Sequence, residues 1–174
     1  TLAAQSGAPF SINDIVPIAN HLTEAGVVAV KADSPYKTIE ELVAAAKEKG
    51  NLKASTNGNK ASNHTAAQLL AKSAGFKYKA IPYGGTADQL LALRQGEVDF
   101  TCAKVADVAK LVKGDKPELR VLAVFNTKRD PELPNVPTLG EKGLYPEWYG
   151  SARALVAPKG TKPEVIQYYV EAFK

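Results

Sequence analysis

The chain has 174 residues, of which 45% are hydrophobic and 23% charged, and this size and composition exclude a disulfide-stapled mini-protein and a disordered chain. Its formal charge of +4 comes mainly from lysines spread along the sequence, with only four arginines. This distribution is typical of a solvated surface; it disfavours a nucleic-acid partner and favours small anionic ligands. A single cysteine, Cys102, excludes an internal disulfide and a zinc site built from several thiolates.

Short runs rich in β-branched residues alternate with helical runs along the chain. Strands are predicted at residues 26–30, 52–55, 77–81, 98–101, 119–124 and 154–157. Strands that alternate with helices of about 10–15 residues indicate crossover connections, and hence a mainly parallel sheet with helices on both faces. The predicted fold class is therefore α/β.

Two kinds of residue mark the predicted helix ends. Threonine followed three residues later by Glu or Gln can form a capping box at a helix start, and glycine readily takes the left-handed conformation at a helix end. Capping boxes are predicted at Thr38–Glu41, Thr86–Gln89, Thr138–Glu141 and Thr161–Glu164. Terminal glycines are predicted at Gly50, Gly75, Gly96 and Gly143.

Three loops follow predicted strands, where α/β folds bind their ligands. Residues 55–64 form a polar loop ahead of a helix predicted at 65–74, residues 82–86 contain two glycines, and residues 102–104 follow the Val98 strand. Backbone N–H groups at a helix start favour an anion, and a carboxylate suits the first loop well. The alternatives are a simple helix cap by Ser62 or Asn63, a tight turn at 82–86, and a surface role for Lys104.

Catalytic patterns are weak in this sequence. Neither His21 nor His64 lies in a frame that pairs it with a nucleophile, and Cys102 follows a strand that is predicted to be buried. No phosphate-loop or dinucleotide glycine pattern occurs. An α/β enzyme acting on a small organic acid, with His64 as base, remains the alternative to a binding protein. A ligand-sensing domain of a transcription factor would need a DNA-binding segment that this sequence lacks.

Several strings, taken in order, resemble the periplasmic solute-binding proteins of tripartite tricarboxylate transporters, the Bug-type receptors. The matching strings lie at residues 14–19, 30–38, 62–67, 82–85, 96–99, 119–124, 133–139 and 157–161. Their joint order across nearly the whole chain carries the resemblance. It implies a type II periplasmic-binding-protein-like fold, a two-domain clamshell of the Venus-flytrap kind, that captures a small di- or tricarboxylate and delivers it to integral membrane subunits.

The resemblance also implies a set of ligand-binding residues, a periplasmic location, no catalysis and no cofactor or metal. The implied ligand-binding residues are Thr56, Asn57, Gly58, Asn59, Ser62, His64, Tyr83, Gly84, Gly85, Thr86, Ala103 and Lys104. By the same comparison, residues 1–25 are a remnant of a first domain and a crossover, 26–152 form the second, ligand-binding domain, and 153–174 are the return crossover and the start of a first-domain helix.

The sequence departs from the family pattern at two places in the predicted site. Where the family loop usually reads Gly-x-Gly-Ser before the histidine, this chain has Gly58-Asn59-Lys60-Ala61. Where an acidic residue followed by Asn is common, Ala103-Lys104 stands here, which exchanges a negative charge for a positive one. This exchange suggests a preference for purely anionic solutes over amino acids.

The family pattern extends before Thr1 and beyond Lys174, so the sequence is expected to be a fragment. Its last segment, 161–174, carries an apolar stripe of Val165, Ile166, Tyr169, Val170 and Phe173. Such a stripe needs a partner surface. Self-association through this helix and residues 15–30 is therefore predicted.

Overall fold

The structure, a computed structural model, describes residues 9–173. The chain forms two compact units, Glu24–Ser151 and a smaller one made of Thr1–Thr23 with Ala152–Lys174. The first eight residues of the predicted segment 1–25 and the last residue of 161–174 lie outside the described residues. Within the described part, no helix has the length and apolar character that crossing a membrane requires.

Six strands and five α-helices make up the described chain. The strands are β1 (Ile15–Lys31), β2 (Lys53–Thr56), β3 (Lys79–Pro82), β4 (Phe100–Lys104), β5 (Leu119–Phe125) and β6 (Gly150–Pro158). The helices are α1 (Ile39–Lys49), α2 (Ser62–Ala74), α3 (Thr86–Gln95), α4 (Val105–Val108) and α5 (Pro163–Ala172), and a short 3₁₀ helix precedes β1 at Ile12–Asp14. All six predicted strands are present, and the α/β class is confirmed.

The sheet has the order β3-β2-β4-β1-β5, and β6 pairs with β1 off this path. β2 is parallel to β3 and to β4, whereas β1 is antiparallel to both β4 and β5. β2, β3, β4 and β5 therefore run in one direction with β1 inserted between two of them. The mainly parallel sheet is confirmed, but the sequence pattern did not reveal the reversed direction of β1, because a buried strand has the same composition in either direction.

Apolar side chains on the two faces of the sheet form two separate core clusters. Along β1, Val28 and Val30 belong to one cluster while Val27 and Ala29 belong to the other, as the period of two in a strand requires. Residues of α1 and α2 complete the first cluster, and residues of α3 and α4 complete the second. Helices thus cover both faces, as predicted.

Four of the predicted helix ends are correct. Thr38 and Glu41 form the complete capping box, and Gly50, Gly75 and Gly96 end their helices in the left-handed conformation. Gly143 is also left-handed, but it lies in a turn with no helix.

The other three capping boxes were wrong, each because a side chain of the box has another partner. Gly85 caps α3, because the Gln89 side chain is used in the interior. Lys162 caps α5, because the Thr161 hydroxyl donates to the Pro158 carbonyl at 2.8 Å. Thr138 Oγ1 accepts from the Glu141 N–H at 3.0 Å, but the Glu141 carboxylate pairs with Arg129 and no helix follows.

The smaller unit presents large apolar side chains to solvent. Tyr168 of α5 is 70% exposed and Phe173 is 49% exposed, while Ile166 and Val170 are partly covered. The apolar stripe predicted for this segment is thus present on the helix. Self-association through it stays a prediction.

Gly150 is a position where the fold tolerates no side chain, since a Cβ there would overlap the Glu24 carbonyl oxygen. We expect Gly150→Ala to lower the free energy of unfolding by about 1–3 kcal/mol, as overpacking does. Gly84→Ala is the matched control, because its Cβ would lie 3.4 Å from only a flexible carboxylate oxygen of Asp88. Urea unfolding of both variants tests this; equal losses would contradict it.

Candidate functional site

The carboxyl ends of three parallel strands lie at one edge of the sheet. Thr56 is paired with Pro82 across β2 and β3, and Ser55 with Thr101 across β2 and β4. The connections that follow these strands in the structure, 57–61, 83–85 and the turn at Lys104, therefore emerge at the same edge; they lie within the loops predicted at 55–64, 82–86 and 102–104. The structure brings the three predicted site segments together within the unit 24–151.

Thr56 ends β2 with a hydroxyl that is buried without a partner. The residue is fully buried, and its Oγ1 has no hydrogen-bond partner among residues 9–173. A buried polar atom left in this state costs free energy. The hydroxyl is thus an unsatisfied polar atom beneath this edge of the sheet.

The first loop leads directly into α2, which begins three residues earlier than predicted. Ala61 is the N-cap and makes no side-chain cap bond, so neither Ser62 nor Asn63 has the predicted capping role; both lie in the first turn. The Asn57 Oδ1 instead accepts from the Asn63 N–H at 3.3 Å. The first helical hydrogen bond of α2 runs from the Thr65 N–H to the Ala61 carbonyl. The N–H groups of Ser62 and His64 precede it and donate no helical hydrogen bond.

Two residues give this loop its backbone conformation. Gly58 has a φ of 116°, and Lys60 is in the left-handed region with a φ of 61°. The Lys60 N–H donates to His64 Nδ1 at 3.0 Å, which places the ring proton on Nε2. Lys60 occupies the place of the second glycine in the family pattern Gly-x-Gly-Ser, a residue type that would adopt this conformation without strain.

The second loop presents another helix start. The Tyr83 N–H donates to the Thr56 carbonyl at 2.8 Å, and the Tyr83 hydroxyl donates to Glu97 at 3.1 Å. Burial, followed by the contact with Glu97, raises the pKa of this phenol. The first helical bond of α3 runs from Gln89 N–H to Gly85 O, so the N–H groups of Thr86, Ala87 and Asp88 precede the helical series.

The third segment is more deeply buried than a surface turn. Ala103 is fully buried in the second core cluster, so it offers no side chain to a ligand. Lys104 is only 5% exposed, and its ammonium donates to Asn63 Oδ1 at 2.5 Å and to Ser62 Oγ at 3.2 Å. The charge of Lys104 therefore lies against the first turn of α2, and its backbone N–H donates to Asp107 Oδ2 at 3.0 Å.

A buried polar network that was missed at the sequence level connects these segments. Gln89 Nε2 donates to the carbonyls of Ser55 and Cys102, at 3.3 and 2.7 Å, and to Thr101 Oγ1. Its Oε1 accepts from Asn63 Nδ2 at 2.9 Å. The pattern Thr86-x-x-Gln89 suggested a cap for this glutamine, and no signal in the sequence indicated its place between two strands and α2.

Tyr149 is a second residue that the sequence analysis missed. Its backbone pairs with Gly26 and Phe125, and its hydroxyl donates to the Ser62 carbonyl at 3.2 Å. Burial raises the pKa of this phenol, which keeps it protonated as a donor. Tyr149 thereby fixes the start of α2 from a position 87 residues away along the chain.

Cys102 is a packed thiol, as predicted. It is completely buried, and burial raises the pKa of the thiol to about 12.

Among residues 9–173, no group of three or more His, Cys, Asp or Glu side chains could hold a metal ion. A cavity of about 430 Å³ lies at the opposite edge of the sheet, lined in part by Lys31, Lys49 and Asp99.

Removal of the Gln89 amide should loosen the site and the fold together. We expect Gln89→Leu to lower the free energy of unfolding by about 1–3 kcal/mol, because the Asn63 amide would lose its buried acceptor. Gln68→Leu is the control, since Gln68 is exposed on α2. Urea titration followed by circular dichroism measures both, and a Gln89→Leu variant as stable as the control would refute the structural role of the network.

Lys60 and Ala61, the two residues of the first loop that depart from the family pattern, should lower the stability of the fold. We expect the double substitution Lys60→Gly with Ala61→Ser to raise the free energy of unfolding by about 1–2 kcal/mol, through relief of the left-handed strain and a new N-cap bond. Lys60→Ala removes the same side chain but keeps the strained conformation, so it should give no gain. Thermal unfolding distinguishes the two; a gain from Lys60→Ala alone would contradict the strain argument.

Comparison with known proteins places this architecture in one family. Residues 5–174 match the model of the tripartite tricarboxylate transporter family receptor. A relative from Cupriavidus necator, named "UPF0065 protein in gbd 5'region", is 37% identical over 164 residues, which cover 94% of this chain and 48% of the relative. The chain spans about half the length of the curated relatives it matches.

Two solved structures support the same assignment. A TctC solute binding protein from Polaromonas has a TM-score of 0.83 and 30% identity, covering 98% of this chain and 58% of that one. The structure "R. palustris Rpa4515 with adipate" has a TM-score of 0.81 and 25% identity, with coverages of 92% and 53%. The periplasmic-binding-protein-like fold is thereby confirmed, and the chain belongs to the tripartite tricarboxylate transporter receptor family of solute-binding proteins.

Proposed function

We propose that this protein is a periplasmic receptor that captures a small carboxylate, without catalysis, and delivers it to the membrane subunits of a tripartite tricarboxylate transporter. One observation carries the proposal: the first turns of α2 and α3 meet at one sheet edge, beside the buried Thr56 hydroxyl, which has no partner among residues 9–173.

Helix starts are suited to this task because their free N–H groups and partial positive charge attract an anion. In this site the N–H groups of Ser62 and His64 on α2 and of Thr86 on α3 have that position. A dicarboxylate has a charged group for each helix start. The buried ammonium of Lys104 contacts the first turn of α2 at this edge.

The relatives support this class of ligand. The neighbour with 25% identity carries adipate, a dicarboxylate, and the family model names a tricarboxylate transporter receptor. The enzyme alternative has less support, since His64 Nδ1 accepts a backbone N–H and the site offers it no paired nucleophile within the described residues. Capture and release of an unchanged anion needs only the donors described above.

Calorimetric titration of the protein with succinate, adipate and citrate tests the proposal. We expect saturable binding of at least one of these acids, and recovery of the bound acid unchanged after long incubation. Failure to bind any of them would refute the proposed ligand class, and conversion of the acid would favour the enzyme alternative.

The substitution Thr56→Val tests whether the carboxylate binds at this edge. The substitution keeps the shape of the side chain and removes a buried hydroxyl without a partner, so stability should be unchanged or higher. Affinity for the carboxylate should fall about 5- to 10-fold through loss of one hydrogen bond. Equal affinity in the variant would place the ligand away from Thr56.

A further inference from the structure

Tyr149 is bonded to two different parts of the larger unit. Its backbone N–H donates to the Phe125 carbonyl at 3.1 Å, and its own carbonyl accepts from the Gly26 N–H at 2.8 Å. Its hydroxyl donates to the Ser62 carbonyl, in the first turn of α2, at 3.2 Å. The main chain of this residue therefore belongs to the sheet, while its side chain reaches the candidate site.

The main-chain bonds of Tyr149 lie in a closely packed pair of segments. The chain enters and leaves the larger unit through residues 24–26 and 149–151, which we call the connecting pair. A Cβ at Gly150 would overlap the Glu24 carbonyl oxygen, and the Gly26 N–H bonds across the pair. The two segments therefore have little room to move independently of each other.

The side chain of Tyr149 is also restrained. Its ring packs edge-on against the Phe125 ring, with 6.1 Å between the ring centroids, and it contacts the first core cluster. A ring packed in this way follows its own main chain when that main chain shifts. Displacement of the connecting pair would therefore strain or break the hydrogen bond between Tyr149 and Ser62.

We propose that Tyr149 couples occupancy of the site to the connecting pair: a carboxylate bound at the first turn of α2 stabilises the Tyr149–Ser62 hydrogen bond and, through it, the pairing of 24–26 with 149–151. The inference rests on the proposed function and deepens it, because it names how occupancy of that site is transmitted. Tyr149 is here a positioning residue, since it acts on the solute only through the first turn of α2.

The direction of the coupling follows from the need for oriented donors. The N–H groups of Ser62 and His64 can meet a carboxylate together only when the first turn of α2 is held, and the Tyr149 hydroxyl is one of its restraints. The solute therefore binds the bonded state more tightly than the state without this hydrogen bond, and it shifts the population toward the bonded state. Because such coupling is reciprocal, loss of the hydrogen bond weakens solute binding.

Lys104 provides a second route between the same regions. Gly26 is paired with Lys104 across β1 and β4, and the Lys104 ammonium donates to Ser62 Oγ at 3.2 Å. Removal of the Tyr149 hydroxyl alone distinguishes the two routes, because it leaves the β1–β4 pairing and the Lys104 side chain unaltered.

Hydrogen exchange of single amides, followed by NMR, measures the coupling. The probe is whichever of succinate, adipate and citrate binds most tightly in calorimetry, at a saturating concentration. The reporter is the Gly26 N–H, and the reference is the Gly50 N–H, which donates to the Ala46 carbonyl at 3.0 Å at the end of α1. We expect the probe to slow exchange at Gly26 at least about 5-fold more than at Gly50, the lower end of typical coupling between sites.

Tyr149→Phe removes the hydroxyl and keeps the ring. With the probe again at saturation, the extra slowing at Gly26 should fall below about 2-fold, and the affinity for the probe should fall about 5-fold. Tyr145→Phe is the matched control, because the Tyr145 ring also packs against Phe125, at 5.8 Å, whereas its hydroxyl donates to Glu147 at 3.4 Å. Both quantities should stay unchanged in this control.

The outcomes separate this inference from the proposed function. Binding of a probe without extra slowing at Gly26 in the unaltered protein overturns the coupling and leaves the carboxylate receptor standing; this measurement needs no substitution, so it is decisive even if Tyr149→Phe folds poorly. Extra slowing that persists in Tyr149→Phe, or that is lost equally in Tyr145→Phe, overturns the role of the Tyr149 hydroxyl. Failure of all three acids to bind refutes the proposed function, and this inference falls with it.

Discussion

The buried amide of Gln89 is the interaction on which the candidate site depends. Its nitrogen donates to carbonyls of β2 and β4, and its oxygen accepts from Asn63 in α2. One side chain on α3 thereby connects both strands and the other helix that border the site. Because these groups are buried, each would be costly to leave without a partner, and the network therefore favours a single arrangement of the strand ends and helix starts.

Such rigidity suits a protein that recognises an anion by hydrogen bonds and charge. The orientation of the first turn sets the direction in which its N–H donors point. In this structure Lys104 and Tyr149 hold the first turn of α2 from two sides. Under the proposed function, the site needs no activated nucleophile and no tuned acid and base. A carboxylate would meet donors that are already oriented, consistent with membership of a family of solute receptors.

The sequence predicted the features that depend on local physics and missed those that depend on distant contacts. The six strands and the left-handed glycines Gly50, Gly75 and Gly96 were correct, because periodicity and backbone freedom are local properties. The rule that ligands bind at strand ends predicted the candidate site, and the structure brings the three strand ends together, but ligand binding there stays a prediction.

The errors and omissions have a common cause. The Thr86–Gln89 capping box was wrong and the network was missed because Gln89 bonds to residues 12, 13, 26 and 34 positions away. The depth of Lys104 depends on packing between β4 and α2, 41 residues apart. The direction of β1 depends on its pairing with β4 and β5, which no run of residues within the strand encodes.

Cys102 offers a practical consequence of this packing. It is the single cysteine of the chain, it lies on the strand that Lys104 ends, and its carbonyl accepts from Gln89. A thiol that is fully buried, with its pKa raised to about 12, reacts with alkylating reagents only when the surrounding structure opens. The rate of its modification thus measures how often the structure opens locally at the candidate site, and slower labelling in the presence of a solute would report how strongly that solute holds the site closed.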